Sequence, residues 1–205
     1  MPETDMDTTR LFEGADHHLM GDNRPSAYFS AEDCPVAKSD LFTPVFALRG
    51  VKQSPMHHSE GDAFVHTMLV IDRAGGQREA AHEPRVFMWA ALLHDIGKAT
   101  TTRHRGGKIT SYDHDKAGEK LAFDLLQKCG QPHGFATKVA AMVRYHMHPL
   151  YVLKGMPFAD LKGMRARVDL DDLALLALCD RLGRGGADLL SEGRDIERFL
   201  KIVNP

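Results

Sequence analysis

The residues with chemical potential in this chain stand in apolar surroundings. His66 lies inside FVHTML, and His94 and Asp95 sit side by side in WAALLHDIGK, from Trp89 to Lys98. His114 opens the next apolar stretch, His146 follows VRY, and Asp180 interrupts LALLALCDRL. Burying a polar group without a partner costs roughly 2–7 kcal/mol, and a charge costs more. Such groups are therefore solvated at helix ends or bound to something. Singly, each has an ordinary explanation: a core histidine satisfied by a hydrogen bond, or a helix-terminal one favoured by the dipole. Together they ask for more, because five apolar segments each bring an imidazole or a carboxylate to a position facing the interior of a bundle. Neutral imidazole nitrogens and ionised carboxylates are ligands for first-row divalent metals, and a cation offsets the burial of Asp95 and Asp180. Neighbours on a helix diverge by about 100°, so His94 and Asp95 can grip one ion in the notch between them.

The elements that must position these groups read as helices. DAFVHTMLVIDRA has no glycine or proline and suits a buried helix despite its β-branched residues, with a strand as the alternative. Pro84 fits a first helical turn, and Val86, Trp89, Ala90 and Leu93 follow at helical spacing up to Gly97, read as a C-cap, which places His94 and Asp95 in the last turn. A third helix runs from Tyr112 to Cys129 and stops at Gly130 and Pro132. Phe135, Val139, Met142 and Val143 mark a fourth that ends before Pro149. A fifth runs from about Asp171 to Gly183, and DIERFLKIV gives a sixth. No segment alternates with period two over strand length, so the expected fold is all-α. Residues 1–40, rich in Asp, Pro, Ser and Gly, read as a loosely structured polar leader or covering segment, and 41–205 as one domain. DHH, Asp16 to His18, is a weak metal-like signal against a solvated surface reading.

Composition narrows the classes. The 205 residues are 43% hydrophobic and 26% charged, with no apolar run of membrane-span length and no signal-like N-terminus, so a cytoplasmic, non-membrane protein is expected. A formal net charge of −2 gives no global attraction for nucleic acid, and sequence-specific DNA recognition is not expected. A local cationic loop does exist in KATTTRHRGGK, with Lys98, Arg103, Arg105 and Lys108 around a glycine pair. The three cysteines lack CxxC spacing, and AGGQR at Ala74 is not a phosphate-binding loop.

His66, the adjacent His94-Asp95 and the distant Asp180 resemble, in that order, the signature of the HD-domain metal-dependent phosphohydrolases. HHSEGDAFVHTMLVIDRA, ALLHDIGKATT, DHDKAGEKLA, VRYHMHP and LALCDRLGRGG are similar to successive blocks of the HD domain of bacterial CCA-adding tRNA nucleotidyltransferases, across roughly Val51 to Gly186. A lone HD dipeptide says little, whereas the full ordered set is specific. The nucleotidyltransferase head of that family has no counterpart here, so its synthetic activity is expected to be absent.

The resemblance implies an HD-like helical bundle with a central metal site holding one or two divalent ions (Mn, Fe, Co, Ni, Zn or Mg). It implies hydrolysis of 2′,3′-cyclic phosphates, 2′-nucleotides or other phosphoesters, with a nucleotide or RNA-terminal phosphate as substrate. His66, His94, Asp95 and Asp180 would hold one metal. His114 and His146 match positions that complete a second site in some HD families, or else contact phosphate or protonate the leaving oxygen. Asp95, Lys98 and His114 are the catalytic candidates. Lys98, Arg103, Arg105, Arg181 and Arg184 are the substrate-binding ones, with a helix-terminal charge as the plain alternative for Lys98 and surface ion pairs for Arg181 and Arg184. Glu60 and Asp62 either support His66 or cap a helix. His148 is left outside the ligand set, and His57, His58, His82, His104 and His133 read as surface or loop residues. The alternatives are a 5′-nucleotidase or nucleoside triphosphate hydrolase, and a non-catalytic nucleotide- or RNA-binding module.

Overall fold

The computed structural model describes residues 5–56 and 58–204, with side chains from Thr8 onward. Its elements run α1 (Asp5–Gly21), α2 (Ser26–Ser30), α3 (Thr43–Phe46), α4 (Ala63–Gly75), α5 (Pro84–Leu93), α6 (Lys98–Thr101), β1 (Arg103–Arg105), β2 (Lys108–Thr110), α7 (His114–Lys128), α8 (His133–Tyr145), α9 (His148–Leu153), α10 (Leu161–Arg167), α11 (Leu170–Leu182) and α12 (Leu189–Val203), with short 3₁₀ turns between some of them. The fold is all-α, as expected. The one sheet among the described residues is the antiparallel pair β1–β2, with Arg103 opposite Thr110 and Arg105 opposite Lys108.

That hairpin corrects the reading of KATTTRHRGGK as a loop. Gly106 and Gly107 both have positive φ, which a two-residue turn between antiparallel strands needs and which glycine adopts without a Cβ penalty. The strands are too short to show a period-two pattern.

The core is organised around α5. PRVFMWAALL is buried on every side from Val86 to Leu93, and a helix that is apolar all round must be enclosed. It packs against α1, α4, α8 and α11. Its N-terminus lacks a side-chain cap of its own. Instead Asp172 of α11 accepts hydrogen bonds from the backbone N–H groups of His82 (2.7 Å) and Glu83 (3.0 Å), which tethers the start of α5 to α11. Helix α11 is itself started by Asp169, which accepts from the N–H groups of Asp171 and Asp172, while Asp62 caps α4 through the N–H of Val65.

Residues 5–40 are not loosely structured, which corrects that part of the sequence reading. Phe12, Ala15 and Leu19, spaced for one helical face, are buried, and Phe29, Cys34 and Val36 join the same core. The Phe12 ring stacks on Trp89 of α5 with centroids 4.5 Å apart and planes 8° from parallel. Asp16 accepts from the Trp89 indole N–H at 2.8 Å and pairs with Arg85, and His18 pairs with Asp22, so the DHH triplet serves docking. No helix among the described residues is long and apolar enough to cross a membrane.

Gly97 is not the C-cap of α5. The helix ends at Leu93 with His94 as cap residue, and Gly97 precedes α6 with an ordinary φ of −66°. Glycine is needed there for another reason. A Cβ would lie 2.0 Å from the His114 carbonyl oxygen and 2.8 Å from the Gly118 nitrogen, so the chain after Asp95 touches the α7 backbone directly. Gly97→Ala is therefore expected to lower stability by about 1–3 kcal/mol or more, because backbone atoms cannot yield as a side chain can. A denaturant midpoint equal to wild type would contradict that close approach.

Candidate metal centre

Helix ends deliver most of the ligands. His94 and Asp95 follow the last turn of α5, His146 follows α8, His114 is the first residue of α7, and His66 and Asp180 come from within α4 and α11. All six side chains are buried. The two oxygens of Asp95 divide the imidazoles between them. Oδ2 faces His94 Nε2 at 3.3 Å and His66 Nε2 at 3.9 Å. Oδ1 faces His114 Nε2 at 3.4 Å and His146 Nε2 at 3.8 Å. Asp180 Oδ1 lies 3.0 Å from His66 Nε2.

The tautomers follow from the hydrogen bonds. His94 Nδ1 donates to the Ala91 carbonyl at 2.8 Å, His146 Nδ1 to that of Val143 at 2.6 Å, and His114 Nδ1 to that of Ser111 at 2.7 Å. A carbonyl oxygen can only accept, so the proton sits on Nδ1 and each neutral ring turns the Nε2 lone pair inward. For His94 and His146 the acceptor belongs to the last helical turn, whose carbonyls have no partner within the helix, so one bond satisfies the helix end and aims the ligand.

A divalent cation fits this donor set. His66, His94 and Asp95 offer ligand atoms within 4.8 Å of one another, and so do Asp95, His114 and His146. His94 Nε2 is buried and has no hydrogen-bond partner. The Nε2 atoms of His114 and His146 face each other at 3.2 Å, two lone pairs that a cation reconciles. Mixed imidazole and carboxylate donors suit first-row metals. Asp95 belongs to both groups and would bridge them.

Charges beyond the ligands set the electrostatics. Burial opposes ionisation of Asp95, yet the Lys98 ammonium, 2.7 Å from Oδ2, holds its carboxyl well below the usual range. Burial opposes ionisation of Asp180 too, and Arg184, at 3.0 Å, with His66 outweighs it. Burial pushes His146 down to about 3 and also lowers His114, which keeps both rings neutral as ligands must be. His66 is raised instead: burial disfavours its charged form, but Asp180 and Glu60 on its two nitrogens prevail.

The EGD block separates into two roles. Glu60 Oε1 accepts from His66 Nδ1 at 2.9 Å and from His58 Nδ1 at 2.8 Å, and its other oxygen accepts from the Gly185 N–H at 3.1 Å. It orients His66, whereas Asp62 caps α4. His58 is consequently mostly buried, correcting its reading as a surface residue; His82, His104 and His133 are exposed, and His57 lies outside the described residues.

The cations sort differently. Lys98 leans over Asp95 and donates to Gln53 at 2.7 Å, so it is more than a helix-terminal charge. Arg184 reaches Asp180 and has a buried Nε without a partner. Arg181 turns to Glu192 (2.6 Å) and Asp195 (3.1 Å) on α12, the ion-pair alternative for this residue. Arg103 and Arg105 stand exposed on the hairpin and are not brought to the carboxylates; Arg103 donates to the Thr100 and Thr102 carbonyls. His148, set aside in the sequence, is buried between the rings of Tyr145 and Tyr151 with neither ring nitrogen partnered. The only signal for it was its place in HMHP.

Outer-layer groups that orient a ligand are typically worth 10–100-fold in metal affinity. Glu60→Ala is therefore expected to weaken metal binding by about that factor while circular dichroism stays helical. Unchanged affinity in a metal titration would remove Glu60 from this role.

A family model described as HD domain matches residues 63–185, which contain all six converging side chains. The Multifunctional CCA protein of Halorhodospira halophila is 34% identical over 163 residues, covering 74% of this chain and 37% of that protein. The Multifunctional CCA proteins of Aromatoleum aromaticum (33% over 178 residues, 80% of this chain and 40% of that one) and Methylococcus capsulatus (34% over 175 residues, 79% and 38%) are similar to it as well. The chain spans about two fifths of the length of these curated relatives. With the family match covering more than half of the chain and enclosing every ligand of the centre, the chain belongs to the HD domain family.

Proposed function

We propose that this chain is a metal-dependent phosphohydrolase that cleaves phosphoester bonds of nucleotides or RNA termini, of the 2′,3′-cyclic phosphodiesterase, 2′-nucleotidase or phosphatase type. The observation that carries it is the division of Asp95, one oxygen toward His66 and His94 and the other toward His114 and His146. His66, His94, Asp95 and Asp180 would hold one ion, and Asp95, His114 and His146 a second. The chemistry such ions supply is an acidified water and a polarised phosphoryl oxygen.

The surrounding side chains supply the rest. Lys98, fixed between Asp95 and Gln53, places a point charge where a phosphoryl group gains negative charge. Arg184, anchored on Asp180, adds a second positive charge beside the centre. Burial lowers the His114 pKa, which supports a ligand role for that ring over donating a proton to the leaving oxygen. Asp95, held ionised, is the group positioned to orient an attacking water. Likeness to Multifunctional CCA proteins supports RNA ends among the substrates, and Arg103 and Arg105 on the exposed hairpin suit a polyanionic chain beyond the reacting phosphate.

The test pairs metal content by mass spectrometry with hydrolysis of 2′,3′-cyclic AMP, 2′-AMP, 5′-AMP and an aryl phosphate across added metals. Near-stoichiometric metal and turnover of the cyclic or 2′-substrates are expected, with both lost in Asp95→Ala. An Asp95→Ala protein that keeps metal and activity would overturn the assignment. Turnover of 5′-AMP alone would shift it to a 5′-nucleotidase, and metal-free, inactive wild-type protein would leave a binding module.

A further inference from the structure

Beside the metal centre lies a cavity of about 670 Å³, within the size range of small-molecule sites. His114 is in its wall as well as in the candidate ligand set, so the cavity borders the centre. Three features distinguish it. His148, 1% exposed, lines it with neither ring nitrogen hydrogen-bonded. An imidazole carries one donor and one acceptor at opposite corners of a plane, and leaving both empty in a buried place is costly. His148, Tyr151 and Phe158 then form a continuous aromatic wall, with His148 and Tyr151 centroids 5.4 Å apart and Tyr151 and Phe158 4.8 Å apart. Finally, Tyr112 and Phe158 at its edge are 79% and 61% exposed, large rings left in water next to a pocket.

Charge indicates what kind of group this cavity takes. Its cations are already matched: Arg144 pairs with Asp115, and Lys116 with Asp113 at 2.7 Å. With two carboxylates against two cations, the cavity carries no net positive charge to draw in a phosphate. Aromatic walls with one in-plane donor and acceptor suit a neutral, planar heterocycle.

We propose that this cavity is a nucleobase subsite, which takes the base of a nucleoside phosphate whose phosphoester lies at the Asp95 centre, with His148 bonding the base edge and Tyr112 and Phe158 stacking on its faces. This rests on the phosphohydrolase reading for the placement of the phosphate, but not for the binding of the base. The substrate is then a nucleotide or an RNA terminal residue rather than a phosphoester at large.

The test is binding, not turnover. Affinities of the metal-loaded protein for 2′-AMP, ribose 5-phosphate and adenosine are measured by calorimetry, and saturation-transfer NMR reads which ligand protons touch the protein. Base stacking on an aromatic side chain supports an expected advantage of about tenfold or more for 2′-AMP over ribose 5-phosphate, with the strongest transfer at the adenine protons. That ratio is expected to fall toward one in Tyr112→Ala and Phe158→Ala, whose exposed side chains can be removed without opening the core, and in His148→Phe if that buried variant folds. Equal affinity for 2′-AMP and ribose 5-phosphate, or a ratio unmoved in both exposed variants, overturns the proposal. Adenosine separates the two ideas: its binding persists if hydrolysis is absent, and hydrolysis persists if adenosine makes no contact.

Discussion

A carboxylate taken out of water ordinarily gives up its charge, because a neutral acid costs far less to bury than an anion. Asp95, 1% exposed, keeps its charge because the Lys98 ammonium stands against it, inside a ring of four imidazoles. Four helices and the turn after α5 have to bring those groups within 4 Å of one carboxylate, which fixes their relative positions closely. Breaking one member of such a set leaves the others uncompensated, so the cluster behaves as a unit.

The bundle meets that demand with economical local devices. Helix α5 is enclosed on all sides, so its C-terminal end is held in a constant place, and the HD pair follows where the helix stops. The unpaired carbonyls near the ends of α5 and α8 are acceptors that any helix terminus must satisfy somehow. Here they take the Nδ1–H groups of His94 and His146, and a generic problem of helix ends becomes a means of aiming metal ligands. Asp172 does the corresponding work at the opposite end of α5, and Phe12 and Asp16 clasp Trp89 midway.

Much of this was legible in the residue order, and the misses have physical causes. The six converging side chains stood out because each is polar within or at the end of a strongly apolar stretch. The major helices from α4 onward were legible for the same reason, since their apolar stripes are dense. Helix α1 was hidden because its stripe consists of little more than Phe12, Ala15 and Leu19 within an acidic stretch, too sparse to stand out. Gly97 has the chemistry of a C-cap and a place near a helix end, and only the approach of α7 distinguishes a turn residue from a contact point. Glu60 against Asp62, and Arg181 against Arg184, differ in which neighbour from a distant helix lies within reach; sequence spacing places both members of each pair on similar ground. His148 was invisible as an orphan because a missing partner is a property of three dimensions.

The bare contact between Gly97 and the first turn of α7 has a consequence for how this protein can change over time. Most helix pairs are spaced by side chains, and drift in those side chains moves the helices with them. Between the HD turn and His114 the spacer is two main chains in close contact, so the distance from Asp95 to His114 is set by backbone rather than by exchangeable side chains. The surrounding core can exchange volumes and the outer surface can be rewritten for new substrates while the spacing of the ligands stays the same. The freedom of the rest of the fold to diverge is bought with the immobility of one residue that lacks a methyl group.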